Sequence, residues 1–251
     1  MEKPAERRSQ KERVSEINQH PVSDGRVFFL SRCIEKTIGI CYTVYEVKHM
    51  EKSRLEQQFD FILEADKEKS IYRQTRLSNG VDRENDADHA WHMALMCILL
   101  SEYANEKIDV LRTVSMILIH DIVEIDAGDT YAYDKSALST QRERELKAAG
   151  RLYNLLPPDQ AKKLRALWDE FEEGKTPEAR FAHTLDNVQP AMLNSATDGV
   201  EWVNHQVRLS QILTRNKNTA DGSAALWEYS YQHFIKPNVE KGRILGDVES
   251  L

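Results

Sequence analysis

From residue 50 onward the chain repeats apolar positions at intervals of three and four, each run opened by a capping residue or a proline, and this restricts that stretch to a helical fold. Leu55, Phe59, Ile62 and Leu63 form the first such face. Asp86 or Asp88 caps the next, which runs through Ala90, Met93, Ala94, Cys97, Ile98 and Leu100. A third begins after Asp109 with Val110, Leu111, Val114, Ile117, Leu118 and Ile119 and runs straight into His120-Asp121. Residues 126–139, with Gly128, read as a loop; Ser139 and Thr140 then cap a charged helix whose run 142–147 reads as a solvated face. Pro158 and Pro177 suit the first turns of two further helices, and the last helices cover 200–214 and 223–240. Convincing paired strands are missing from this stretch. The expected fold is therefore all-α over 50–245, with a tail at 246–251.

Residues 1–49 differ. A charged start gives way to β-branched and aromatic segments at 27–30 and 38–47. Two readings stand: a peripheral extension forming a short strand or hairpin, or a segment upstream of a natural start at Met50. At 251 residues the chain suffices for one domain plus an extension. A formal charge of −7 offers no basic field for a polyanion, which argues against nucleic acid as a partner. No apolar run approaches the roughly 20 residues that span a bilayer, and the charged first residues lack the apolar core of an export signal. Three cysteines with no C-x-x-C pair fit a reducing compartment, so a cytoplasmic setting is expected.

Chemistry concentrates where the third helix ends. His120 and Asp121 are followed by Glu124, Asp126 and Asp129, four carboxylates directly after an apolar face. Burying them is costly unless a cation or base offsets the charge. Consecutive helical residues point about 100° apart, so His120 and Asp121 reach one ion only at a helix end or distorted turn. Such a His-Asp pair suits zinc, manganese, iron, cobalt or magnesium alike. A hydrogen-bonded helix end and a solvated acidic loop are the bland readings of the same residues.

The ordered motifs Tyr72-Arg73, Glu84-Asn85-Asp86-Ala87-Asp88-His89, His120-Asp121-Ile122-Val123-Glu124 through Gly128-Asp129, Leu155-Leu156-Pro157-Pro158 and Leu185-Asp186-Asn187 resemble the HD-domain phosphohydrolase superfamily, and within it the 5′-deoxynucleotidase branch. The resemblance spans roughly residues 53–245. It implies a helical domain that binds a divalent metal through His89, His120, Asp121 and Asp186 and releases phosphate from nucleoside or deoxynucleoside 5′-monophosphates. It makes Glu124 the residue acting on the attacking water, Asp129 the aid to the leaving group, and Arg73 the phosphate grip. Gln74, Asp129 and Thr130 fall at the substrate, and Glu124, Asp129 and Thr130 at a second ion. Gln74 stands where the deoxynucleotidases carry a tryptophan, which leaves discrimination against ribose open. A homodimer is implied, with the aromatic C-terminal helix as a candidate face.

His92 and His183 are the alternative ligands, at helical spacing from His89 and Asp186. Trp168, Trp202 and Trp227 read as core or interface aromatics. Two rival functions remain: an HD-type hydrolase of another small phosphorylated substrate, and a non-catalytic metal- or nucleotide-binding module.

Overall fold

The computed structural model describes residues 14–16, 27–35, 41–49, 52–131 and 135–248. Met50, the alternative start, and the end of the expected tail lie outside them. The chain divides into two units, Met1–Ser53 and Arg54–Leu251. In the first, β1 (Val14–Glu16), β2 (Val27–Glu35) and β3 (Cys41–His49) form an antiparallel sheet in that order, with Val27 opposite His49 and Glu35 opposite Cys41. The expected hairpin is there, its first strand longer than the apolar segment 27–30, its second shifted to 41–49, and it is flanked by a third strand.

The second unit is helical. Its helices are α1 (Arg54–Ala65), α2 (Asp86–Leu100), α3 (Val110–Ile117), α4 (Glu124–Ala127), α5 (Lys135–Leu152), α6 (Pro158–Glu173), α7 (Pro177–Ala196), α8 (Val200–Asn204), α9 (Leu209–Arg215), α10 (Thr219–Gly222), α11 (Ala224–Ser230) and α12 (Lys236–Glu240). One element departs from the expectation: β4 (Tyr72–Arg76) and β5 (Arg83–Asn85) pair as an antiparallel hairpin. Its strands are too short and too polar to show alternation, and the signal lies in the turn. There Asn79 Oδ1 accepts from Val81 N at 2.9 Å and Asp82 N at 3.1 Å, and Gly80 takes φ +72°, a conformation that favours glycine.

Caps fall close to their expected places. Asn85, not Asp86 or Asp88, caps α2, its side chain accepting from Asp88 N at 2.8 Å. Asp109 caps α3 through Arg112 N at 3.0 Å, and Thr176 caps α7 through Ala179 N at 3.2 Å. Helix α5 starts at Lys135, earlier than the capping pair Ser139-Thr140 suggested. Its charged run is not wholly solvated: Glu145 is buried and accepts from Gln141 at 2.6 Å, and Arg142 reaches Glu172 at 2.8 Å. Pro190 lies inside α7, one turn beyond Asp186; having no N–H, it cannot close the helical bond to the Asp186 carbonyl.

Two apolar clusters bracket the site. One joins Met93 and Cys97 of α2, Met116 and Ile117 of α3, and Phe181 and Leu185 of α7. The other joins Phe61 of α1, Ile119, Ile122 and Val123, Leu152 of α5, Tyr153 and Trp168 of α6. The chain crosses from one to the other between Ile117 and Ile119, immediately before His120. A third cluster around Trp202, Leu209, Ile212, Tyr231 and Ile235 closes the C-terminal end. The apolar face expected on α1 does not enter any core: Leu55, Phe59, Ile62 and Leu63 are exposed, and Phe61 is buried instead. The helix bonds to α6, Arg54 to Asp159 at 2.6 and 2.8 Å and Gln58 to Gln160 at 2.8 Å. Among the described residues no helix is long and apolar enough to cross a membrane.

Candidate metal centre

Three chain segments deliver the site. The β4–β5 hairpin sets Tyr72 opposite Asn85, so Arg73 leaves one strand as Glu84 leaves the other, and the second strand leads directly into the α2 cap. Asp86 and His89, three residues apart, then share the inward face of the first turn of α2, both fully buried. Helix α3 stops at Ile117, and the tight turns that follow place His120 and Asp121 side by side. His120 Nδ1 donates to Ile117 O at 2.7 Å, which leaves Nε2 facing inward. Helix α7 contributes Asp186.

His89, His120 and Asp121 bring ligand atoms within 4.8 Å of one another, all buried. His89 Nε2 lies 3.1 Å from Asp186 Oδ1, and the two imidazole centroids are 5.7 Å apart. His120 Nε2 is 3.1 Å from Asp121 Oδ2 but makes no hydrogen bond there, and it is buried without a partner. Two buried imidazoles and two carboxylates form a donor set that suits a divalent transition metal. The residues fit such an ion.

The electrostatics call for positive charge. Arg73 answers part of it, with Nη1 at 2.8 Å from Asp121 and 3.3 Å from Asp86, and Nη2 at 3.9 Å from Asp186. Burial would raise Asp121, yet His120 and Arg73 hold its carboxyl down at about 2. Burial would lower His120, and the Asp121 carboxylate overrides it to about 9. Asp186 is also depressed: burial opposes this, but the His89 bond and the Arg215 guanidinium prevail, Arg215 Nη2 donating to its Oδ2 at 3.1 Å. His89 itself is lowered to about 4, by burial and then by Arg73.

A second group lies beside the first. Asp86, Glu124 and Asp129 also gather ligand atoms within 4.8 Å. Burial, then Asp121, pushes Asp86 up to about 8; burial, then Asp121 and Asp86, pushes Glu124 well above its ordinary value, and burial raises Asp129. Asp86 Oδ2 and Glu124 Oε2 are buried without partners. Glu124 therefore groups with Asp86 and Asp129 rather than with the His120-Asp121 pair, because the chain turns between Ile117 and Glu124 instead of running as one helix.

A cavity opens from these residues, lined by Arg73, Gln74, Asp129, Thr130, Asp186 and Trp202 among others. Gln74 Oε1 accepts from Arg83 at 2.8 Å, and Thr130 Oγ1 from Arg144 at 2.8 Å. Asp126 turns outward to a two-pronged pair with Arg151, at 2.5 and 2.7 Å. Neither alternative histidine falls in a ligand group among the described residues. His92 Nδ1 is 3.1 Å from Gln189 Nε2, while His183 Nε2 donates to Phe171 O at 2.7 Å and its ring stacks on Phe171. Trp168 is wholly buried between the Arg142 and Arg165 guanidinia, whereas Trp202 is buried but forms part of the cavity wall. Sequence reasoning treated Asp86 only as a cap and gave no role to Glu84, Gln189 or Arg215. The spacing Asp86-x-x-His89, repeated as Asp186-x-x-Gln189, was the available signal.

The arrangement has counterparts. The HD domain matches residues 65–227. The chain is 30% identical to the human 5′-deoxynucleotidase HDDC2 over 118 residues, covering 47% of this chain and 56% of that protein. For the Dictyostelium discoideum 5′-deoxynucleotidase HDDC2 the figures are 30% over 127 residues, 48% and 67%. Against the human relative, the match thus spans little more than half of the curated protein. The crystal structure of a predicted metal-dependent phosphohydrolase from Magnetospirillum magnetotacticum superposes with a TM-score of 0.73 at 45% identity, over 76% of this chain and 96% of that one. With its motifs on the hairpin, α2, the turns after α3 and α7, this chain belongs to the HD domain family.

Proposed function

We propose that the protein is a divalent-metal-dependent phosphomonoester hydrolase acting on nucleoside or deoxynucleoside 5′-monophosphates. The observation that supports this reading is the buried group of His89, His120 and Asp121, with Asp186 against His89, a His120 Nε2 that makes no hydrogen bond, and a cavity bearing Arg73 alongside. Relatives named 5′-deoxynucleotidase support the substrate class. Those four residues would hold the ion, be it manganese, cobalt, zinc, iron or magnesium. Such an ion polarises a phosphoryl oxygen and acidifies water.

The chain's own groups do the rest. Arg73 takes the phosphate through a guanidinium matched to its paired oxygens. Glu124 Oε2, buried and without a hydrogen-bond partner, orients the attacking water and accepts its proton. Asp129, whose carboxyl burial raises above its ordinary value, aids the departing sugar oxygen. Gln74 and Thr130 line the substrate path, and Glu124, Asp129 and Thr130 are the candidates for a second ion. With a net charge of −7, capture rests on these local groups; nucleic acid is not the partner, and the setting is cytoplasmic.

A phosphate-release screen over nucleoside monophosphates and simple sugar phosphates tests this. Protein stripped of metal should be inactive and recover with manganese or cobalt. Asp121→Ala should lose about a hundredfold or more of kcat, the worth of several kcal/mol of charge stabilisation. Full activity in that variant would overturn the mechanism; tight nucleotide binding without turnover under every metal would favour a binding module instead.

We also infer a homodimer, built on a different face from the one first expected. Tyr231 is buried, Trp227 and Phe234 pack against the C-terminal core and the core around α7, and little of that helix remains to pair. By contrast Trp91, Leu95, Ile98 and Leu99 form an exposed stripe at helical spacing on α2, and α1 presents Leu55, Phe59, Ile62 and Leu63. A second copy of this chain would cover these apolar side chains, as a standard interface of roughly 800 Å² per partner does. Leu99→Glu combined with Phe59→Glu should convert a dimer to monomer by light scattering; an unchanged mass would sink this assignment.

A further inference from the structure

We propose that Gln189 is a positioning residue that fixes the tautomer of His89, and that Glu84 orients it to do so. The inference rests on His89 being a metal ligand. Gln189 is fully buried on α7, three residues beyond Asp186, and its amide lies between three groups. Its Oε1 is 3.0 Å from His89 Nδ1, while its Nε2 donates to Glu84 Oε1 and lies 3.1 Å from His92 Nδ1.

The assignment of protons follows from what each group can do. Glu84 Oε1 accepts the Gln189 amide hydrogen, so the amide nitrogen faces it. The carbonyl oxygen is thereby turned to His89, where it requires a donor. His89 Nδ1 therefore bears a hydrogen, and Nε2, which faces Asp186 and the site, is the nitrogen left to give its lone pair to an ion. The second hydrogen of the Gln189 amide reaches His92 Nδ1, which makes His92 an acceptor in this network and accounts for its absence from the ligand group.

The arrangement around His120 is the same in kind: there a main-chain carbonyl, Ile117 O, takes the Nδ1 hydrogen. At His89 no main-chain partner is used. A side-chain amide supplies the acceptor, and its orientation depends in turn on a buried carboxyl whose other oxygen lies 3.7 Å from His89 Nδ1 and 3.9 Å from Arg73 Nε. Outer partners of this type hold ring orientation and tautomer, and their loss weakens metal binding about 10- to 100-fold.

The test uses the whole chain and cobalt as the probe. Long-range proton–nitrogen correlation on the metal-free protein should show a hydrogen on His89 Nδ1. Gln189→Leu should mix the tautomers and weaken cobalt binding, measured by calorimetry, about 10- to 100-fold. Gln189→Glu alone sets two carboxyls against each other and Glu84→Gln alone lets the amide turn, so both should weaken binding. The exchange Glu84→Gln with Gln189→Glu keeps the charge and the shapes. The carboxylate, moved to α7, then accepts both from His89 and from the amide moved to β5, and the exchange should recover most of the lost affinity.

Should Gln189→Leu fail to fold, the exchange still decides. A folded exchange variant that binds no better than the weaker single variant would overturn the proposal, as would a Gln189→Leu protein with unchanged affinity or a wild-type His89 bare at Nδ1. If the wild-type chain bound no cobalt, the metal reading would fall, while the His89 spectrum would still decide the tautomer.

Discussion

Arg73 shows how much one side chain does here before any substrate arrives. Its guanidinium stands among Asp86, Asp121 and Asp186, and those carboxylates hold its proton more firmly than usual against the cost of burial. Arg73→Lys keeps the charge but loses the fork. A charge-assisted hydrogen bond is worth about 1.5–3 kcal/mol, so KM for a nucleoside monophosphate should rise roughly ten- to a hundredfold in steady-state assays. An unchanged KM would remove Arg73 from the phosphate. At this scale the sequence was most informative: His89, the His120-Asp121 pair and Asp186 are far apart along the chain, yet His89, His120 and Asp121 gather their ligand atoms and Asp186 lies against His89. What it hid were groups without distinctive chemistry, such as Gln189, whose meaning comes wholly from its three neighbours, and Asp86, which resembles an ordinary capping residue until its burial is known.

At the level of elements, helix periodicity and caps were readable because they are local. Thr176-Pro177 and Asp109 open their helices as expected. The β4–β5 hairpin was not readable, since Tyr72–Arg76 and Arg83–Asn85 are polar and brief and only the Asn79-Gly80 turn betrays them. Nor was the orientation of α1, because an amphipathic stripe does not say whether it faces a core or another surface. Helix α7 offers a prediction. Pro190 costs it a hydrogen bond to the very residue expected to bind metal, and an interior proline costs a helix about 3 kcal/mol. Pro190→Ala should raise the melting temperature by several degrees and, by closing the missing bond to the Asp186 carbonyl and so shifting the turn that holds Asp186 and Gln189, weaken cobalt binding. A variant gaining stability with no change in cobalt affinity would show that the proline plays no part in the site.

For the whole molecule, the buried acids set the response to pH. Burial raises Glu68 and Glu84 to about 7, and burial with Asp121 raises Asp86 to about 8. Unfolded carboxyls titrate at about 4, so the folded chain holds more protons across the interval between. Stability of the metal-free protein should therefore fall as pH climbs from about 5 to about 8. His120, raised to about 9, adds to that fall in the upper part of the range, whereas His89, lowered to about 4, opposes it only below about 6.5. Thermal melts across this range check the sign, and added manganese should flatten the slope by supplying the missing positive charge. The crossing of the chain between two apolar clusters just before His120 gives that charge a mechanical meaning. His89 and Asp186 ride on the helices of one cluster, and Glu124 and Asp129 follow the segment that enters the other. An ion held here would tie elements of both clusters together, so occupancy should slow amide exchange on both sides at once, coupling the opening of α3 to that of α5.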